Sequence, residues 1–583
     1  MRVLVVTEPS EDPNRDIIEP NVVFFSGAEV EGELERVLID GQFDALVAAR
    51  EVAGAGLERW ARSRPDGVRV VGRSAGIDGI EGLERLAPLV PGDGRSSTVE
   101  AMRALEQATT NSNFRRHRVS GGLAADAEEV LLVGAGITNL IAAHKLLRQG
   151  FRVRMIDSGP GPRGGGHWLS AGCTHGGDDA RMFTLSEMDN YNCRHIHDDM
   201  NTLFRRRVGE GGWALYRDGS LTADELRWIE EFETISPWRA EVYTADIFRF
   251  TEESHRYWQR WIRDDPELFD ASGYCPRILR IYSDERALER DVERHRMIGS
   301  TQAVLSPAEL AAKHPTLATA VRDGNIVGGQ VVVGFTVNVN AFSRLLLQRL
   351  EAAGAQVTWE CPAEEIVFDA GSSPRGVRVS GAEIEVANLV ISPGAYGGRL
   401  LEPTRSRGGL HGVLGVWMRL PNLRSSLDHS LKLKRTRHIV DDANVTLGTD
   451  AHDRSILILG SGYGHVGTNP GNIEAELLEK MYAGLRDTAA NYFPEAVASL
   501  GDVSKACAQM KYCVRPWTST GLGLLEILQS SQGGRCVVTG GHNTGGFAQA
   551  PAVAEAIAAA LGGIEHPMHQ AYDPGRAVAF VSG

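Results

Sequence analysis

The stretch that most constrains this chain is residues 130–157. A β-rich run, Val130-Leu131-Leu132-Val133, leads into Gly134-Ala135-Gly136-Ile137-Thr138-Asn139. Leu140, Ala143, Leu146 and Leu147 then recur at helical spacing, Gly150 closes the helix, residues 153–156 read as a second strand, and Asp157 ends it. Strand, glycine turn, helix and strand in about 30 residues make a βαβ unit, whose two strands must be parallel. Gly134 permits the tight turn, and Gly136 lets backbone N–H groups approach a pyrophosphate at the helix N-terminus. Asp157 stands 23 residues beyond Gly134, where an acid hydrogen-bonds an adenosine ribose. Asn139 replaces the third glycine of the pattern, so the helix is either pushed from the strand or tied to it by a local side-chain bond.

Further glycine turns follow. The chain has 66 glycines in 583 residues, about 11% against a usual ~7%, without a collagen-like period or a Gly/Ser tract. Tight turns and close backbone approach to a ligand remain as reasons. A Gly-rich run at 159–166 is followed by Ser170-Ala171-Gly172-Cys173-Thr174-His175-Gly176. Near the C-terminus, Val537-Val538-Thr539-Gly540-Gly541-His542-Asn543-Thr544-Gly545-Gly546-Phe547 precedes an apolar helix at 552–561. Its helix N-terminus suits an electron-rich ring edge. Between these, Gly334-Phe335-Thr336-Val337-Asn338 opens a helix to Gly354, strands follow at 356–359 and 365–368, and Leu389-Val390-Ile391-Ser392-Pro393-Gly394-Ala395 ends another strand.

These segments, in this order over roughly residues 129–563, resemble the D-amino acid oxidase superfamily of FAD-dependent oxidoreductases, glycine oxidase and sarcosine oxidase in particular. The resemblance implies that Gly134, Gly136 and Asn139 form the turn at the FAD pyrophosphate and that Asp157 meets the ribose. It implies that Val367 meets the adenine, that Ser170 and Gly394 lie beside the cofactor, and that Gly541, Asn543, Gly545, Gly546 and Phe547 face the isoalloxazine. Lys511-Tyr512-Cys513-Val514-Arg515-Pro516-Trp517-Thr518-Ser519-Thr520-Gly521 matches the family's RP-x-T-x-D-G segment, with Thr520 in place of the Asp. Arg515 then holds a substrate carboxylate, which a guanidinium grips with two parallel bonds. Cys513 falls where sarcosine oxidase links its flavin through sulfur, so the FAD is either covalent or freely bound. His465 and His175 are the candidates for proton transfer or for tuning flavin reoxidation.

The implied reaction is hydride transfer from a carbon beside nitrogen to flavin N5, on an amino-acid-like or N-substituted amine. Oxidation of a 2-hydroxy acid or other alcohol is the alternative, and it needs a histidine base. A binding protein with a vestigial flavin site is a further alternative. His195 and His197 form an H-x-H without a suitably spaced third ligand, so no metal is expected there.

The implied fold is α/β: a Rossmann-like FAD-binding domain (128–205, 335–402, 505–583) with an interleaved α+β substrate domain (206–334, 403–504). Before it, strand-like runs at 3–6, 22–25, 45–49 and 68–71 alternate with helical stretches, which makes residues 1–95 a small flavodoxin-like domain with a parallel sheet. Within it, Val70-Val71-Gly72-Arg73-Ser74-Ala75-Gly76-Ile77-Asp78-Gly79-Ile80 resembles a turn in the N-terminal part of D-2-hydroxyacid dehydrogenases. That domain is the candidate surface for a protein partner or homo-oligomer. Residues 96–127, polar and Gly/Ser/Arg-rich apart from one helical stretch, read as a linker. The formal net charge of −14 argues against nucleic acid or anionic membrane as a partner. No run of about 18 apolar residues spans a membrane. Residues 1–9 lack a signal-peptide pattern, and seven cysteines without a C-x-x-C pair suit reduced thiols in a cytoplasm.

Overall fold

The computed structural model describes residues 1–7, 21–26, 33–53, 57–75, 79–86, 97–117, 128–162, 174, 180–186, 202–423, 427–450, 452, 454–501 and 510–576. The βαβ unit lies at the centre of a six-stranded sheet. Glu129–Val133 pairs in parallel with Arg152–Ile156 on one side and Asn388–Ile391 on the other. Gln356–Thr358 and Arg535–Gly540 extend the sheet in parallel, and Leu524–Gln529 closes one edge antiparallel. The helix Ile137–Arg148 and the C-terminal helix Gly546–Leu561 pack on one face, where Leu140, Ala143, Leu146, Val553 and Ile557 share one core. Ala363–Phe368, Pro374–Val379 and Ala382–Glu385 form a separate antiparallel meander against the other face.

A nine-stranded sheet stands beside this one. It gathers Cys275–Tyr282, Thr301–Leu305 and Gly328–Asn338. It also takes Ala180–Thr184 and Lys511–Trp517. Those two strands fall within ranges expected to belong to the cofactor domain. Chain therefore crosses to the large sheet earlier than the boundary at 205 and returns later than the boundary at 505. The 28-residue helix Pro237–Asp264 joins the two halves. Its Trp258 Nε1 donates to Ala548 O at 3.2 Å and its Ser254 Oγ accepts from Ala552 N at 3.1 Å. These bonds satisfy backbone on either side of Pro551, which interrupts the C-terminal helix.

The N-terminal strands Val3–Thr7, Val22–Ser26, Ala45–Ala53 and Val68–Ala75 fall on the expected runs, and Leu83–Leu86 adds a fifth. All pair in parallel, with Val22–Ser26 and Ala45–Ala53 flanking Val3–Thr7, the spatial order of a flavodoxin-like sheet. Alternation divides the first strand between two cores. Leu4 and Val6 pack with Leu38 and Trp60, while Val3 and Val5 pack with Met102 and Leu105. The second core corrects the linker reading. Ser97–His117 is a 21-residue helix that covers one face of the sheet. Its composition looks solvent-facing because several polar side chains are buried against partners. Glu106 is 1% exposed and receives Arg576 Nε at 2.8 Å, while the same guanidinium gives Nη1 to Asp246 at 2.6 Å.

The Arg576 pairs tie the N-terminal helix, the long helix and the C-terminal segment together in a water-poor place. Removing one partner there leaves a buried charge uncompensated. Glu106→Ala is expected to cost about 3–5 kcal/mol in chemical denaturation. An unchanged unfolding midpoint would show that the cluster adds nothing to stability.

Candidate active site

A cavity of about 590 Å³ runs from the glycine turn of the six-stranded sheet to the face of the nine-stranded sheet. At one end, Gly134 has φ +95°, a backbone that L side chains rarely adopt, and a Cβ there would lie 2.5 Å from Ser392 O. Gly136 is the N-cap residue of the helix and has no side chain to cap it; Thr174 Oγ1 accepts from Ile137 N at 3.2 Å, and the turn itself borders the cavity. Asp157 pins the turn, its Oδ2 accepting from Ala135 N at 2.6 Å and its Oδ1 from Gly159 N at 2.7 Å. Asn139, fully buried, bonds locally instead of pushing the helix away. Its Nδ2 donates to Val133 O at 3.0 Å and Gly134 O at 2.8 Å, and its Oδ1 accepts from Ser392 Oγ at 2.8 Å.

The neighbouring wall differs from expectation in one place. Val367 lies inside the meander, paired with Gly376, and does not line the cavity. Cys361, Pro362 and Ala363 do. Cys361 N donates to Asp157 O at 2.8 Å, so the chain passes the acid several residues before Val367 and has turned into the meander by then. Gly394 lines the cavity at φ +61° with no atom within 4 Å of a Cβ position.

The C-terminal turn supplies Gly541, His542, Asn543, Thr544, Gly546 and Phe547 to the lining. Gly545 sits one step back, as the N-cap residue of the helix Gly546–Leu561. Asn543, itself at φ +50°, fastens this turn to the Arg515 segment. Its Oδ1 accepts from Thr518 N at 3.2 Å and its Nδ2 donates to Gly521 O at 3.0 Å. Thr544 Oγ1 is buried without a hydrogen-bond partner among the described residues.

Arg515 and Cys513 come from Lys511–Trp517, antiparallel to His411–Pro421. Arg515 Nη2 donates to Gly462 O at 2.7 Å, and the guanidinium lies over the Tyr463 ring, 5.2 Å from its centroid. Gly415 makes the room, since a Cβ there would lie 2.6 Å from Arg515 Nη2. The thiol of Cys513 is buried with Trp417, Ile456 and Ile458 at the cavity wall.

His465 does not face the cavity, which corrects its candidacy. Its Nε2 lies 3.0 Å from His411 Nδ1, and Trp228, Phe204 and Tyr216 surround the ring. The segment before residue 217 covers it, His465 N donating to Trp213 O at 2.6 Å. Burial pushes its pKa down to about 3, so the ring is neutral. His542 is the histidine that reaches the lining, and burial lowers it to about 4. Ser170 and His175 lie outside the described residues, as do His195 and His197.

Sequence reasoning missed Gly415 and Tyr463, and also Lys432, Asp442, Asn444 and Thr446 at the far end of the cavity. The signal for the last group was present. Leu431-Lys432-Leu433-Lys434 alternates as a strand with one polar face, and Lys432 pairs with Asn444 across the sheet.

Three comparisons bear on this geometry. A family model described as FAD dependent oxidoreductase matches residues 129–560. The chain is 26% identical to D-amino acid dehydrogenase 2 of Pseudomonas aeruginosa over 418 residues, 68% of this chain and 87% of the relative. It is similar in fold to the fructosyl amine:oxygen oxidoreductase (Amadoriase I) of Aspergillus fumigatus, with a TM-score of 0.50 at 14% identity over 79% of this chain and 92% of that one.

Two outcomes are expected. Gly134→Ala forces a strained φ, a cost of about 1–3 kcal/mol, and drives Cβ into Ser392 O, so the purified protein should lose most of its flavin absorbance. Full absorbance would contradict the turn's role. The His411–His465 pair makes the fold acid-labile. A ring held neutral to about pH 3 has a depressed folded pKa, so the unfolded chain binds the extra proton first. That stability is complete above about pH 6.5 and drains as pH falls toward 3, by about 1.4 kcal/mol per unit for one histidine. Thermal melts from pH 7 to 4 should show a flatter decline for His465→Gln than for the wild type.

Proposed function

The chain belongs to the FAD-dependent oxidoreductase family, and from that premise we propose that it oxidises a C–N bond of an amino-acid-like or N-substituted amine whose carboxylate is held by Arg515. The residues present suit FAD. A left-handed glycine turn, two helix N-termini with glycine at the cap and the Thr544 hydroxyl, unpartnered among the described residues, all border one continuous cavity. Gly136, Ile137 and Thr138 would hold the pyrophosphate, Asp157 with Cys361–Ala363 the adenosine side, and Gly394, Gly541, Asn543, Gly546 and Phe547 the ring side. FAD, when bound, supplies the two-electron acceptor for hydrogen removed from the carbon beside nitrogen.

The chain's own part is binding and orientation. The observation that carries the reading is Arg515, at the cavity wall with its guanidinium fixed by Gly462 O and the Tyr463 face. Among the described residues its bonds go to carbonyls and not to an acid, which leaves its charge for an anionic substrate group. A substrate carboxylate held there sets which C–H bond faces the ring. A neutral amine gives up that hydrogen without a strong base, so the chemistry asks little of His542, which burial keeps neutral. The hydroxy-acid alternative asks for a base at the hydroxyl, and His465 stands behind the wall.

Anaerobic addition of amino, N-alkylamino and hydroxy acids to the yellow protein tests the class. Bleaching by amines is expected, and bleaching by hydroxy acids alone would reverse the reading. Arg515→Met should retain flavin and lower kcat/KM about a hundredfold, the ~3 kcal/mol that a hydrogen bond to a charged group is worth at most. An equal loss with a substrate lacking a carboxylate would dismiss the anchor. Acid precipitation separates the two states of Cys513: colour in the pellet means a thioether, colour in the supernatant a free thiol.

A further inference from the structure

Outside the cavity, one cluster of side chains has the composition and spacing of a metal site. His314 ends the helix Pro307–Lys313 and is followed by the short turn Pro315–Leu317. Asp428 and His429 directly precede the strand Ser430–Lys434. Their three ligand atoms lie within 4.8 Å of one another. Two imidazole nitrogens converge on one carboxylate oxygen, His429 Nδ1 at 2.8 Å and His314 Nδ1 at 3.3 Å from Asp428 Oδ1.

The two approaches differ in kind. The shorter one is a hydrogen bond. The longer one lacks hydrogen-bond geometry, and His314 Nδ1 is a buried nitrogen without a hydrogen-bond partner among the described residues, on a side chain only 5% exposed. A buried ring nitrogen left without a partner costs free energy that a bound ion would recover. The 3.3 Å spacing is that of two neighbouring ligands on one ion. Bonds of about 2.0–2.2 Å place the corners of a tetrahedron about 3.3–3.6 Å apart. Two imidazoles and one carboxylate are a donor set that Zn²⁺ accepts.

We propose that His314, Asp428 and His429 bind a divalent transition metal with zinc-like preferences, with water completing the coordination. The site is separate from the cavity. Leu431 and Leu433 pack with Leu310 and Leu317 on one side of the sheet, while Lys432 between them lines the cavity on the other. The ion therefore joins the corner at His314 to the start of a strand whose next residues reach the cavity. It braces that wall and takes no part in the oxidation.

The test uses the flavin-loaded full chain, stripped with a chelator and titrated with Zn²⁺ and with Co²⁺. One equivalent should bind, Co²⁺ should develop the visible bands of a low-symmetry site, and the melting temperature should rise with free Zn²⁺. Asp428→Asn changes an exposed side chain and His429→Ala a half-buried one, and their flavin spectra report that the fold persists. Each should weaken binding more than about tenfold and abolish the Co²⁺ bands. Absence of a Zn²⁺ or Co²⁺ equivalent in the wild type would overturn the site. So would binding undiminished in both variants, which would place the ion on other histidines or on cysteines.

Discussion

Asn139 is the buried amide on which the dinucleotide end of the cavity depends. Two strands of the six-stranded sheet, Glu129–Val133 and Asn388–Ile391, stop at the same level; Ser392 N donates the last ladder bond to Val133 O at 3.0 Å, and the Gly134 carbonyl beyond it has no ladder partner. A carbonyl buried in that state costs about 1–3 kcal/mol. Asn139 gives both amide hydrogens to Val133 O and Gly134 O and takes the Ser392 hydroxyl on its oxygen. One side chain thus closes two strand ends and fixes the direction in which the helix begins. A glycine at this position would allow the same close packing but satisfy none of these groups. The departure from the usual three-glycine pattern is a substitution of polar satisfaction for small size. Asp157 does the same from the other side, so the turn is braced by two side chains and its N–H groups hold their orientation before any ligand arrives.

The opposite wall is built by a different logic, in layers. Gly415 leaves room for Arg515, Gly462 O and Tyr463 fix it, and behind that strand lies the ring cluster of Trp228, His411 and His465. The neutrality of the two histidines matters to the arginine in front of them. A protonated imidazole in that position would add a second positive charge to a dry region and compete for the same counter-ion. Burial among aromatic rings keeps both histidines uncharged, His411 well below its ordinary value and His465 at about 3. The positive charge of this layer therefore sits on Arg515, at the cavity wall.

How much of this was legible follows from the range of the interactions involved. The βαβ unit, Asp157 and the C-terminal turn are written in short stretches, where period and spacing report directly on backbone geometry. The N-terminal strands are legible for the same reason. What escaped depends on distant partners. His465 lies two residues from Tyr463 on one strand, yet only Tyr463 reaches the cavity, because backbone near Trp213 closes over the histidine. The helix Ser97–His117 reads as a linker until Arg576, 470 residues away, is seen to neutralise Glu106. Gly415 looks like any strand glycine until Arg515 is placed beside it.

Electrostatics joins the two ends of the cavity. The chain carries a net charge of −14, so an anion approaching its surface at large meets repulsion. The two helices that begin at the cavity have glycine at the cap, Gly136 and Gly545, and the first takes only a neutral hydroxyl, Thr174 Oγ1, on Ile137 N at 3.2 Å. Their partial positive charges point toward the cavity. Arg515 adds a full charge whose hydrogen-bond partners among the described residues are carbonyls. Positive potential is therefore concentrated where burial raises its effect and reduced over much of the surface by the acidic excess. A ligand with phosphates at one end of the cavity and a carboxylate at the other fits that distribution.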